Sequence, residues 1–192
     1  MNKRTVSVLI ALGLLLFSCN KKSKEEKIGT TVNMEETLQK YAVETKGVLG
    51  KNLKNAINKQ GTEKAIEFCS TKAIVLTDSM GTAFNATIKR VSDKPRNPVN
   101  MANENETAFI NELKQKSSKG EKLTAKFTEA DSKIIGYFPI ETNAMCLQCH
   151  GSKDLDIKPK VLKKIVQLYP KDQATGYKEN QIRGIFVVTK NK

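Results

Sequence analysis

One pentapeptide constrains this chain more than any other feature. Cys146-Leu147-Gln148-Cys149-His150 places two thiols one helical turn apart and an imidazole directly after them. This spacing allows both sulfurs to bond to the vinyl groups along one haem edge while the next side chain lies beneath the iron. His150 is also the only histidine in the chain. The motif therefore predicts one covalently attached haem c, bound through Cys146 and Cys149 and ligated by His150.

Two other uses of these cysteines are considered. A redox-active pair of the thioredoxin type needs a βαβ context, which the flanking sequence does not provide. Structural zinc would formally find a Cys3His set in Cys69, Cys146, Cys149 and His150. Adjacent Cys149 and His150 would crowd a tetrahedral site, and structural zinc sites usually draw on two spaced ligand pairs. A structural zinc-binding protein is thus the least favoured alternative.

The N-terminus predicts export and lipidation. Lys3 and Arg4 precede an apolar stretch over residues 6–17, and Leu16-Phe17-Ser18-Cys19 fits a lipobox. The stretch is short for a retained transmembrane anchor. We expect residues 1–18 to be a lipoprotein signal peptide and residues 19–32 a flexible tether bearing lipid on Cys19. Because bacteria attach haem c outside the cytoplasm, the motif and the signal both indicate a lipoprotein of the cell envelope, facing the periplasm or the cell surface.

The chain is strongly basic. It has 33 lysines and arginines against 20 acidic residues, a net charge of +13. The lysines are spread along the whole sequence, and few aromatic residues are available for base stacking, so nucleic acid is not an expected partner. The charge indicates a solvated lysine-rich surface, which would also attract an acidic redox partner or offset haem propionates.

Hydrophobic periodicity predicts one α+β domain over residues 33–192. The predicted helices span residues 34–58, a segment after Gly61 capped by Thr62, and residues 104–116 and 160–168. The predicted strands span residues 85–91, 123–129, 133–140 and 182–189, and residues 94–98 form an extended loop. A small antiparallel sheet flanked by helices follows. In the second helix, Cys69 shares the inner face with Ala65, Ala73, Leu76 and Met80.

The second axial iron ligand stays open from the residues alone. Cys69, Met80 and Met101 are the sulfur candidates, with lysine a weaker option, and an inward-facing Cys69 is more often an inert buried thiol.

Several segments together resemble a known family. They are Ala65-Ile66-Glu67-Phe68-Cys69, Arg90-Val91-Ser92 with residues 94–100, Tyr137-Phe138-Pro139-Ile140, the Cys146–Gly151 motif, residues 169–177 and Ile182-Arg183-Gly184. In this order they are similar to extracytoplasmic domains with a single c-type haem and a PAS-like fold, first described as a domain of unknown function.

The resemblance implies a PAS-like sheet with the N-terminal helices packed on it. It also implies His150 and Cys69 as the two axial ligands. Met101, directly after Asn100, departs from the family pattern and offers a competing sulfur ligand. Arg96 is a candidate for a haem propionate contact, although an arginine that fixes the turn around Asn97 is the other interpretation. Such domains often serve as sensors of histidine kinases or cyclase receptors. No effector domain follows the last predicted strand here, so we expect any signal to pass to a separate protein.

The leading functional hypothesis is a membrane-anchored periplasmic mono-haem cytochrome in one-electron transfer or redox sensing. The alternative is a haem-based gas or ligand sensor that signals to a separate partner. We expect no enzymatic activity and no catalytic residues, because peroxidase chemistry needs a distal acid–base group, usually a second histidine. The expected partners are the membrane, through the lipid, and an unidentified redox or signalling protein.

Overall fold

Helices cover both faces of one antiparallel sheet in the computed structural model, which describes residues 22–192 and their side chains from residue 33 onward. In chain order the elements are α1 (Lys22–Ala83), β1 (Thr87–Val91), a 3-10 turn (Pro98–Asn100), α2 (Glu104–Ser118), β2 (Lys126–Ala130), β3 (Lys133–Glu141), α3 (Ala144–His150), α4 (Pro159–Leu168) and β4 (Ile182–Asn191). The four strands lie in the order β1-β4-β3-β2. All three neighbouring pairs are antiparallel.

One face of the sheet is covered by α1. Leu38 and Ala42, one helical turn apart, are buried against Phe138 of β3 and against Phe186 and Val188 of β4. Burial of a large apolar side chain contributes about 1.5–3 kcal/mol. This contact therefore fixes the N-terminal part of α1 on the sheet, as the sequence predicted.

Gly61 divides α1 into two arms, residues 22–60 and 62–83. Its φ of 81° and ψ of 167° are not helical, and glycine reaches this region without steric cost. The predicted helix break is confirmed. Thr62 does not act as predicted, because its hydroxyl donates to Oε1 of Gln148 at 2.7 Å and so links the second arm to α3.

The first arm begins earlier than expected. The backbone is helical from Lys22, inside the segment predicted to be a flexible tether. The segment is rich in lysine and glutamate at its start, and both are good helix formers.

The opposite face of the sheet is covered by α2. Phe109, Ile110 and Leu113 are buried against Ile185 and Val187 of β4. A capping box starts this helix: the Asn103 side chain accepts from the Glu106 N–H, and the Glu106 carboxylate accepts from the Asn103 N–H, both at 2.9 Å.

The predicted α+β class with helices flanking an antiparallel sheet is confirmed. Among the strands, the largest difference lies at β2, which begins at Lys126 rather than at Leu123. Leu123 instead packs against the α2 core without joining the strand ladder. Among residues 22–192, no helix has the length and apolar character needed to cross a bilayer.

One end of the sheet and the second arm of α1 frame the candidate site. The carboxyl ends of β1 and β3 meet the start of β4 there, through the pairs Val91–Ile185 and Ile140–Gly184. A Cβ atom on Gly184 would lie 2.3 Å from the Val91 carbonyl oxygen, so only glycine fits this close approach. The second arm packs on α4 through Ile66, Val161 and Ile165.

Candidate haem-binding site

Helix α3 carries the predicted attachment motif. Its N-cap is Asn143, whose side-chain oxygen accepts from the Cys146 backbone N–H at 3.3 Å and also lies 3.3 Å from the Cys146 sulfur. The helix ends at His150, where the Gly151 N–H donates to the Leu147 carbonyl at 2.9 Å. Residues three and four apart share a helix face, so Cys146, Cys149 and His150 lie on one side of α3.

A cavity of about 260 Å³ lies beside α3 and brings the predicted site residues together. Its size is near the lower end of small-molecule sites, roughly 300–1,000 Å³. Both motif cysteines and His150 line it, together with Cys69 from the second arm of α1 and Arg96 from the loop after β1. Much of the remaining wall is apolar, and its apolar members are Leu53, Ile57, Ala65, Ile66, Ala73, Ile74, Val91, Pro95, Ile140 and Met145.

The hydrogen bond of His150 determines which ring nitrogen is free. Its Nδ1 lies 2.7 Å from the carbonyl oxygen of the fully buried Ala174. A carbonyl has no proton to donate, so Nδ1 carries the hydrogen and Nε2 keeps its lone pair. The Arg183 Nε is 3.4 Å from the same Nδ1, but a protonated Nδ1 cannot accept from it. His150 thus presents Nε2 as a potential metal ligand.

The charge environment keeps this ring neutral. Burial lowers the pKa of His150 well below its usual value, and the positive charges of Arg96 and Arg183 lower it further. The hydrogen bond to Ala174 opposes this shift without reversing it. A neutral imidazole is the form that binds a metal ion.

Arg96 anchors the backbone around the motif. Its guanidinium donates through Nε to Asp172 Oδ1 at 3.2 Å, and through Nη2 to the Cys149 carbonyl at 2.5 Å and the Ala174 carbonyl at 3.3 Å. Asp172 also accepts from the Ala174 N–H at 2.8 Å. Arg96 therefore joins α3 to the turn that holds His150. These contacts give Arg96 a structural role, although not at the turn around Asn97, and its propionate contact stays a prediction.

Cys69 is a half-buried thiol on the second arm of α1. Burial raises its pKa, and the nearby charges of Arg90 and Arg96 counter part of that rise. Burial likewise raises the pKa of Cys149 to about 11. Both sulfurs are thus protonated at neutral pH unless a bound group takes the place of the proton.

The other predicted ligands lie elsewhere. Met101 is 49% exposed, outside the cavity wall, and Met80 packs against the core between α1 and the sheet. Within residues 22–192, no three His, Cys, Asp or Glu side chains are arranged to hold a metal ion. Among the described residues the Cys3His zinc set is therefore not assembled, although its four side chains all line the cavity. Cys19 lies outside the described residues.

Sequence reasoning gave no role to two further arginines that line the cavity, Arg90 and Arg183. Both lie in segments that carried the family resemblance. A period of two along β1 could have shown that Arg90 shares a face with Ile88, which is buried against α1. Arg183 donates to the Ser92 hydroxyl at 2.8 Å, and its guanidinium lies 5.4 Å from the centre of the Tyr177 ring.

These features fit a haem. The apolar wall suits a macrocycle, the two thiols suit its vinyl groups, and the free Nε2 of His150 suits its iron. Arginines at the same cavity suit its carboxylates.

Comparison with known proteins agrees with this arrangement. The model of the Tll0287-like family matches residues 21–190. The crystal structure of the cyanobacterial heme-protein Tll0287 is similar, with a TM-score of 0.59 and 22% sequence identity over 87% of this chain and 96% of that chain. No curated protein sequence matches. At this identity the structural likeness shows the fold, whereas the family match spans most of the sequence. The resemblance inferred from the sequence is confirmed, and the chain belongs to the Tll0287-like family.

Proposed function

We propose that this chain is a c-type haem protein that holds one haem in the cavity beside α3. The observation that carries the proposal is that a single cavity takes in both motif thiols, the imidazole with Nε2 free, and Cys69 from a different helix. The similar solved structure is that of a heme-protein, which supports the same ligand here.

Each residue of the site has its own role in haem binding. Cys146 and Cys149 form the thioether bonds, and His150 ligates the iron through Nε2. The Ala174 carbonyl fixes the orientation of the imidazole and raises its basicity as a ligand. Cys69 would be the second axial ligand. Two sulfurs outside the motif line the cavity, Cys69 and Met145, and Met145 directly precedes Cys146 on α3, whereas Cys69 comes from the second arm of α1.

With haem bound, the iron supplies one-electron redox chemistry. Ligation by both His150 and Cys69 leaves no coordination site for a substrate, which favours electron transfer or redox sensing over catalysis. His150 is the only histidine, and its proposed role as ligand leaves none to act as a distal acid–base group. We therefore propose no enzymatic activity.

The proposed setting is the bacterial cell envelope, with the domain tethered by lipid on Cys19 and facing the periplasm or the cell surface. Electrons or a redox signal would pass to a separate protein. The net charge of +13 suits an acidic partner.

Haem attachment is tested directly by expression with a cytochrome c maturation system. The denatured wild-type protein should keep a haem-linked peroxidase stain, since thioether bonds survive unfolding. The Cys146→Ala, Cys149→Ala double variant should lose it. Cys69→Ala is the matched control: it also removes a cavity-lining thiol, but it should keep the stain. An unstained wild-type protein would disprove the proposal.

Carbon monoxide separates the two modes of action. If the iron keeps both ligands, the absorption spectrum of the reduced protein should not change under CO, as an electron carrier or redox sensor requires. A rapid shift of the Soret band under CO would instead favour the gas-sensor alternative, in which Cys69 dissociates and an external ligand binds in its place.

A further inference from the structure

Arg90 faces the cavity without an anionic partner. On β1 it lies two residues from Ile88, which is buried against α1, so both side chains occupy the same face of the sheet. Arg90 is half-buried and lines the cavity. Within the described part of the chain, no carboxylate forms an ion pair with its guanidinium, and it donates no side-chain hydrogen bond to a protein group.

A partly buried charge of this kind is costly when it stays unpaired. Burial lowers the pKa of Arg90, and the groups that oppose this shift are the Cys69 thiol and the Tyr169 phenol, which are both neutral at ordinary pH. The nearby protein groups therefore do not compensate the charge. The uncompensated positive charge of Arg90 indicates that a bound anion completes the site.

The other arginines of the cavity are already engaged. Arg96 forms an ion pair with Asp172 at 3.2 Å, and both side chains are about nine-tenths buried. Arg183 donates to the Ser92 hydroxyl and lies over the Tyr177 ring. Glu141 is the only carboxylate in the cavity wall, and it is exposed.

We propose that Arg90, rather than Arg96, binds a haem propionate and supplies its counter-charge. The assignment rests on the proposed function. A guanidinium can pair with both oxygens of one carboxylate, and this pairing is strongest where water is excluded. The two propionates are the anionic part of haem, and among the described residues Arg90 is the arginine of the cavity wall whose side chain has no hydrogen bond or ion pair with a protein group.

The effect on haem electrostatics follows from this pairing. A cation beside a propionate lowers the pKa of that carboxyl group. It also disfavours the extra positive charge of ferric iron and so raises the reduction potential. The other titratable or charged groups of the wall are Cys69, Arg96, Glu141, Cys146, Cys149, His150, Tyr169 and Arg183.

The test compares Arg90→Gln and Arg90→Lys with Lys94→Gln, which removes one positive charge from an exposed side chain in the next loop. Reduction potential is measured against pH, and the propionate bending band is recorded by resonance Raman spectroscopy. Because the haem is covalent, spectra are normalised to the haem stain of each denatured protein. Arg90→Gln should lower the potential above the propionate inflection, move that inflection to higher pH and shift the bending band. Arg90→Lys should restore most of the potential, and Lys94→Gln should match wild type.

The outcomes separate the two proposals. A stained wild-type protein whose inflection and bending band are unchanged by Arg90→Gln would overturn the role of Arg90 and leave haem attachment intact. Wild-type protein without stain would overturn both. If the Arg90→Gln variant binds little haem, the Arg90→Lys variant decides between the two outcomes. An Arg90→Lys protein that binds as much haem as wild type and has a displaced propionate bending band supports the contact. An unchanged bending band in that variant rejects it.

Discussion

The two proposed iron ligands differ in how firmly the protein holds them. The ring of His150 is fixed by its hydrogen bond to Ala174, and the carbonyl of His150 accepts from the Tyr177 N–H at 2.9 Å. The Cys69 sulfur makes no hydrogen bond with another described side chain, and burial raises its pKa. Ligation by Cys69 therefore requires the iron to displace the thiol proton, whereas His150 is ready to bind as it stands.

This difference makes Cys69 the sensitive position. Cys69→Ala should raise the reduction potential, because loss of a thiolate removes negative charge that stabilises ferric iron. It should also change the Soret band of the oxidised protein and open the iron to CO. Potentiometry measures the change in potential, and absorption spectroscopy with and without CO measures the other two effects.

Met101→Leu is the control for this change. Its side chain lies at the surface, outside the cavity, so both the spectrum and the potential should stay as in wild type. A Cys69→Ala protein with unaltered spectrum and potential would rule out sulfur ligation by Cys69.

At the level of single residues, the sequence predicted the motif and Cys69 but not the division of labour among the arginines. For Arg96 the sequence leaves a propionate contact and a turn-fixing role open, because its partner Asp172, 76 positions away, cannot be recognised in the sequence. The sequence assigns no role to Arg90, because an inward-facing arginine indicates an anion site only when the groups around it are known to be neutral. Such assignments depend on tertiary contacts, which local patterns do not encode.

At the scale of secondary-structure elements, the close contact between the end of β1 and the start of β4 shapes the end of the sheet beside the cavity. The Gly184 backbone approaches Val91 so closely that an added Cβ would lie 2.3 Å from a carbonyl oxygen. The conflict involves backbone atoms, which cannot rotate away as a side chain can.

Gly184→Ala should therefore destabilise the fold, by about 1–3 kcal/mol as overpacking typically does. Urea unfolding followed by circular dichroism measures the change. Gly47→Ala is the matched control: Gly47 lies inside α1, and a Cβ there meets no atom within 4 Å. Higher helix propensity should stabilise that variant by about 0.5–1 kcal/mol. Equal effects of the two substitutions would contradict the close approach at Gly184.

Periodicity located the four strands and the helices after Gly61 other than α3, because amphipathic patterns are local. The order of the strands was not predictable in the same way. β1 pairs with β4, whose residues lie about a hundred positions later, and nothing in either segment alone specifies that partner. The first turns of α1 could not be predicted for a different reason. A Lys- and Glu-rich segment has a composition that fits both a solvated tether and a helix.

For the molecule as a whole, position at the membrane would matter as much as haem chemistry. A tethered domain meets membrane-associated partners at a high effective concentration. Its excess positive charge would attract acidic surfaces over a range set by ionic strength. In our proposal, both properties depend on a lipid-bearing Cys19, which lies outside the described residues.

Cys19→Ala should release the domain from the membrane or leave it unprocessed. Acyl chains bury many methylene groups, at about 0.8 kcal/mol each, and the substitution removes their point of attachment. Membrane fractionation with metabolic labelling by a fatty acid measures both properties. Cys69→Ala is the control, because it also removes one cysteine but should stay labelled and membrane-bound. A Cys19→Ala protein that is cleaved, unlabelled and still fully membrane-bound would show that something other than lipid holds the domain there, and the basic surface would be the next candidate.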